Sequence, residues 1–136
     1  MGIKEKFFLD RSNAVLAVID VQEKLPASAI EKMTFSCCGE NPFPDQLKAL
    51  GKKQVIVVGM ETHVCVLQTV LELLEAGYTV HVVRDAVMSR KRENWQTGLE
   101  VAAAAGAVLT STEAALFQLL KVAGTEEFKK LSKLVR

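Results

Sequence analysis

Apolar residues are not spread evenly along this chain. They come in short unbroken runs separated by stretches of helical periodicity. Residues 14–19 (AVLAVI) form the first run, which ends at Asp20. Residues 54–59 (QVIVVG) form a second, 79–83 (TVHVV) a third, and 107–109 a shorter fourth. Runs of this length, rich in β-branched residues and apolar on both faces, predict strands of a parallel sheet covered by helices on each side.

The intervening segments carry helix signals. Residues 44–49 begin with Pro44 and are followed by Gly51, the usual asymmetry of proline at the start and glycine past the end. Residues 63–76 place Val64, Leu67, Leu71 and Leu74 at helical spacing and stop at Gly77. Residues 93–105 predict a further helix closed by Gly106. Thr110-Ser-Thr-Glu113 resembles a capping box before a helix over 114–122. A last amphipathic segment, 125–135, sets Phe128, Leu131 and Leu134 apart from Lys129, Lys130 and Lys133. The alternation predicts an α/β protein: a three-layer open parallel sheet of Rossmann-like kind with right-handed crossovers. No repeat, low-complexity stretch or linker interrupts it, so a single domain over residues 1–136 is expected.

Composition narrows the function classes. Lys plus Arg number 17 against 16 Asp plus Glu, a net charge of +1, which argues against nucleic acid or an anionic membrane as partner. No apolar run is long enough to span a bilayer. The opening MGIKEKFFLDRSN lacks a signal-peptide pattern, and Lys6 stands where a myristoylation motif wants Ser or Thr. The three cysteines are an odd count without an export signal, so a reducing, cytoplasmic setting is expected rather than a disulfide framework. Adjacent Cys37 and Cys38, then Cys65, match no zinc spacing, and only His63 and His81 are available besides. Neither a metal nor a cofactor is called for, and no phosphate-cradling glycine loop is present.

In open parallel sheets ligands bind beyond the carboxyl ends of the strands. That rule points to Asp20 and Gln22, to residues 60–65, and to Arg84 and Asp85. Cys65 falls in the first predicted turn after the second strand, where the helix dipole and unpaired N–H groups favour a thiolate. It also reads as a small buried helix residue. Asp20 suits a general base or a turn cap, and Lys32 a charge partner of both or a solvated surface lysine. His63, two residues before Cys65, points away from the thiol's face of a helix. His81 alternates within a strand and reads as packed or surface. Cys37 and Cys38 read as half-buried thiols, since a vicinal disulfide is strained.

The strings AVLAVIDVQEKL, EKMTFSC, VIVVGMETHVCVLQTVLELLEAGYTVHVVRDAVMSR and GAVLTSTEAALFQLL, in that order, resemble the isochorismatase-like cysteine hydrolases, and within them the isochorismatase domain-containing branch. The resemblance implies a triad of Asp20, Lys32 and Cys65. It implies a cis peptide between Met60 and Glu61, and an oxyanion hole from the backbone N–H groups of Glu61 and Cys65. It places Gln22, Phe35 and Thr62 against substrate. The activity implied is hydrolysis of a small amide or related C–N bond through a thioester, in a chain expected to be a homo-oligomer. The family also sets a helix, a second strand and a substrate-lining loop between DVQ and EKxxFS. Here residues 21–31 leave room for none of them, since such a unit needs about 30 residues. That departure favours a second reading, a non-catalytic interaction protein of the same fold; a third, independent of it, is a thiol redox sensor using Cys65 or Cys37–Cys38.

Overall fold

Four parallel strands, hydrogen-bonded in chain order, form the sheet: β1 (Ala14–Ile19), β2 (Gln54–Met60), β3 (Thr79–Met88) and β4 (Val108–Thr110). The computed structural model describes residues 1–19 and 29–135. Asp20 and Gln22 therefore lie outside the described residues. The register runs Ala14 with Gln54 through Ile19 with Gly59, and Gln54 with Thr79 through Val57 with Val82.

Because the chain steps across the sheet in one direction, crossovers of one hand put the connecting helices on one face. These are α2 (Phe43–Ala49), α3 (Leu67–Glu75) and α4 (Arg92–Ala104). Their Leu47, Val70, Leu73, Leu99 and Ala102 pack on Val55, Val57, Val80 and Val82. The opposite face takes Leu9, which follows α1 (Ile3–Phe7), and Ala115 of α5 (Thr112–Leu120) against Ile56 and Val83. Three layers result, as the apolar runs require. A sixth helix, α6 (Glu126–Leu131), starts where the Thr125 hydroxyl accepts from the Phe128 N–H, and its Phe128 ring lies 5.8 Å from that of Phe117.

Several boundaries depart from the sequence reading. The third strand does not stop at Val83. A register shift between Val57 and Gly59 lets β2 keep pairing, with Gly59 opposite Val87 and Met60 opposite Met88, so β3 continues to Met88. Arg84 and Asp85 are thus inside the strand rather than beyond it. The Arg84 carbonyl accepts from Trp95 Nε1, and Asp85 Oδ1 accepts from the Thr112 N–H and hydroxyl, so both residues serve helix placement. The cap of α5 is Ser111, whose hydroxyl accepts from the Ala114 N–H, not Thr110. His81 is fully buried and its Nε2 lies 3.0 Å from the Lys6 carbonyl, tying α1 to the sheet.

Gly59, a strand residue, has no room for a side chain. Its φ is +119°, and a Cβ there would sit on the Ile19 carbonyl oxygen across the β1–β2 ladder.

Candidate functional site

The sequence predicts one helix from residue 63 to 76. Instead the chain leaves β2 through a π-helical turn, Thr62–Val66, and only then enters α3. The wide turn is closed by the Val66 N–H on the Glu61 carbonyl at 3.2 Å. It carries Cys65, which is 7% exposed. The Met60–Glu61 peptide before it is cis. Helix α4 presses on this turn at Gly98, where a Cβ would meet the Thr62 carbonyl oxygen at 2.9 Å and the His63 backbone at 3.0 Å.

Lys32 comes from a different part of the chain. Its ammonium has three donors. They reach the carbonyls of Thr34 and Phe35, both at 2.9 Å, and the Cys65 sulfur at 3.7 Å. A lysine that bends back onto its own loop holds a cation at the thiol without leaving its other protons unpaired.

The loop that carries Lys32 is fixed to α3. Ser36, 4% exposed, donates its hydroxyl to Glu72 Oε2 at 2.8 Å and accepts from the Cys38 N–H at 3.1 Å. The Cys37 N–H donates to Thr69 Oγ1 at 2.9 Å, and Thr69 is wholly buried. Cys37 and Cys38 are half-buried thiols, neither in a disulfide. Burial, with the Glu72 carboxylate adding to it, pushes the Cys38 thiol up to about 11. Phe35 is exposed, whereas Thr62 is buried and its hydroxyl has no hydrogen-bond partner among the described residues.

A polar cluster that sequence spacing did not single out closes the far side. The Glu61 carboxylate accepts from Arg90 Nε at 2.7 Å and from the Arg90 N–H at 3.4 Å. His63 Nδ1 lies 2.9 Å from the Ser89 hydroxyl and 3.7 Å from Glu61. His63 is thus engaged with the end of β3. Of the residues expected at the site, Lys32 and Cys65 are in contact, Thr62 opens the same turn and Glu61 precedes it, and Asp20 and Gln22 lie outside the described residues. Ser36, Thr69, Glu72, Ser89 and Arg90 were not singled out from the sequence, because nothing in a polar residue's local spacing says which distant backbone it will meet. Among the described residues no group of His, Cys, Asp or Glu could hold a metal ion.

These features define a class: parallel α/β proteins with a thiol–ammonium pair on the turn after a central strand. Residues 6–114 match the isochorismatase domain, and the chain belongs to the isochorismatase family. It is 53% identical over 85 residues to a secreted isochorismatase effector, Isc1, of Phytophthora sojae, covering 62% of this chain and 40% of that protein. Among solved structures it resembles the MAR1 ribonuclease of Caenorhabditis elegans, with a TM-score of 0.70 and 43% identity over 76% of this chain and 53% of the other. A pyrazinamidase/nicotinamidase of Streptococcus mutans aligns with a TM-score of 0.55 and 29% identity, over 58% of this chain and 44% of that one. The chain spans half or less of the length of the curated relatives it matches.

Proposed function

We infer that this chain is a hydrolase that uses Cys65 as nucleophile against a small amide or related C–N bond. The observation that carries the reading is the 3.7 Å approach of the Lys32 ammonium to the Cys65 sulfur across 33 residues of sequence. The likeness to a protein described as a nicotinamidase supports the bond type. The C. elegans relative is described as a ribonuclease. A thiol beside an ammonium suits attack on an acyl carbon, and a net charge of +1 gives little attraction for a polyanion.

In the mechanism, Asp20 takes the Cys65 proton and the thiolate adds to the amide carbonyl. The backbone N–H groups of Glu61 and Cys65 hold the oxyanion. Collapse breaks the C–N bond as Asp20 returns the proton to the departing amine, leaving a thioester. Asp20 then draws a proton from water, the hydroxide adds to the thioester carbonyl, and the acid leaves as the Cys65 thiolate reforms. Lys32 balances the negative charge at the sulfur throughout. Gln22, Phe35 and Thr62 contact the substrate; the Thr62 hydroxyl, without a partner among the described residues, suits a polar group arriving with the ligand. Residues 1–136 act as one domain, assembled as a homo-oligomer and working in the reducing cytoplasm, although the Phytophthora relative is described as secreted.

The test is hydrolysis of nicotinamide and p-nitroacetanilide by the purified chain. Cys65→Ala is expected to remove at least about 99% of turnover while leaving the thermal midpoint within a few degrees of the parent. Undiminished turnover in Cys65→Ala would sink the nucleophile. A second reading, a non-catalytic interaction protein, is favoured by the uncovered apolar face of β1, where Leu16 and Val18 are exposed. It is the reading that survives if the unaltered chain hydrolyses neither amide and Cys65 alkylates no faster than cysteine in solution.

A further inference from the structure

The distance between Lys32 and Cys65 is not set by either residue. Lys32 sits on an irregular segment between residues 29 and 36, with no strand or helix of its own. What holds that segment is the far end of its loop. Among the described residues two hydrogen bonds run from it to α3: the Cys37 N–H on Thr69 Oγ1 and the Ser36 hydroxyl on Glu72. Cys65, Thr69 and Glu72 are spaced i, i+4, i+7, so they follow one face of the turn and the helix it leads into. The same face therefore carries the thiol and, one and two turns further on, the two points to which the Lys32 loop is pinned.

The loop is short and internally braced. Thr34 Oγ1 donates to the Ser36 carbonyl at 2.8 Å, and the Lys32 ammonium holds the carbonyls of Thr34 and Phe35. Pinning Ser36 and Cys37 to α3 thus fixes the position of the ammonium four or five residues earlier. Thr69 is wholly buried and Ser36 nearly so. Buried hydrogen bonds of this kind hold geometry more firmly than exposed ones, because water does not compete for them. Losing the Thr69 acceptor leaves the Cys37 N–H without the partner it has here.

We propose that Thr69 and Ser36 are positioning residues, setting the Lys32 ammonium against the Cys65 sulfur through the loop they anchor. The proposal rests on the reading of Cys65 and Lys32 as nucleophile and charge partner. No bond of the reaction passes through Thr69 or Ser36; they act on the thiolate only by where they hold Lys32. Among the described residues the other titratable groups are Glu31, Cys37, Cys38 and Glu40 on the loop side, the last accepting from the Met33 N–H, and Glu61, His63, Glu72 and Glu75 on the turn and α3. Cys38, pushed up to about 11, alkylates slowly and leaves the Cys65 signal distinct.

The experiment is the rate of iodoacetamide alkylation at Cys65, resolved by peptide mass spectrometry, at about pH 7 and at about pH 9.5, below and above the ordinary thiol range. Lys32→Met is expected to slow Cys65 by about tenfold at the lower pH. Thr69→Val, which keeps the shape and removes the acceptor, is expected to slow it by about threefold. Thr69→Ser, which restores the hydroxyl, should react like the parent. Both deficits should narrow at the higher pH, above the ordinary thiol range, whereas a loss of access or fold would persist there. Ser36→Ala gives the same readout from the loop side should Thr69→Val fold poorly. If Lys32→Met is slow and neither Thr69→Val nor Ser36→Ala is, the anchoring inference is wrong while the nucleophile reading stands. A deficit that persists at the higher pH also overturns it. If Lys32→Met matches the parent, the thiol–ammonium reading fails and the anchor fails with it.

Discussion

Two neighbouring strands of almost the same composition have opposite fates. β1 reads AVLAVI and β2 reads QVIVVGM, and both predict a strand covered on two faces. In β2 the prediction holds, with Val55 and Val57 at 0% exposure and Ile56 buried beneath them on the other face. In β1 it holds for one face only. Val15, Ala17 and Ile19 pack against the core, while Leu16 and Val18 stand 58% and 55% exposed. Among the described residues β1 is also a sheet edge. An apolar strand pattern says that both faces can be buried; it does not report whether the cover is present. The family resemblance names the element that would supply it, a helix and strand between DVQ and EKxxFS.

The sharpest way to break this comparison is to put a carboxylate on each strand. Val57→Asp would bury an unpaired charge in the layer between sheet and helices, and is expected to lose more than about 4 kcal/mol, enough to unfold the chain. Leu16→Asp is expected to lose less than about 1 kcal/mol and to improve solubility, since an uncharged apolar edge invites self-association. Urea denaturation followed by circular dichroism measures both. A Leu16→Asp loss as large as that of Val57→Asp would mean that the outer face of β1 is covered in solution.

Gly59→Ala sharpens the comparison at the seam between the two strands. Its Cβ would displace the Ile19 carbonyl from the ladder and force an alanine to φ +119°, at an expected loss of about 3 kcal/mol. The loss should appear as a lower denaturation midpoint with an unchanged slope if β1 unfolds together with β2. A shallower, two-step transition would instead show that β1 detaches alone.

The smallest effect concerns His81, on the face of β3 that α1 covers. Burial holds its imidazole below the ordinary value, against a small opposing pull from the Lys6 carbonyl. The unfolded chain therefore takes up the proton before the folded one does. Stability from this group is complete above the ordinary imidazole value of 6.5 and declines as pH falls below it. Thermal midpoints between neutral and mildly acidic pH should fall more in the parent than in His81→Gln; equal declines would place the acid sensitivity elsewhere.

Most of the sheet and its layering were legible in the sequence because two-sided burial leaves an unbroken apolar string. Where polar residues entered a strand, the reading stopped early. Arg84 and Asp85 look like a strand's end, and only the partner's register shift shows that β3 runs on. Helix α1 left almost no trace, since its five residues carry no buried side chain and its Glu5 and Lys6 carbonyls, with that of Phe8 just after it, are taken by Gln54 and His81. At the candidate site, Cys65 and Lys32 were readable through family strings. The π turn was not, because it stands at the start of the helical segment, where five residues are too few for a change of period to show. Nor were Thr69 and Ser36, whose significance lies entirely in which distant loop they meet.

Gly98 has a consequence for how the site breathes. With no side chain between them, the backbone of α4 lies directly on the turn that carries Cys65, so the turn has no slack beneath it. Local openings in proteins follow cooperative units rather than single residues. Here the unit that must lift before the Thr62–His63 backbone under Gly98 can shift is a helix of 13 residues with Leu99 and Ala102 in the core. The start of the turn that carries Cys65 should therefore rearrange only at the opening rate of α4.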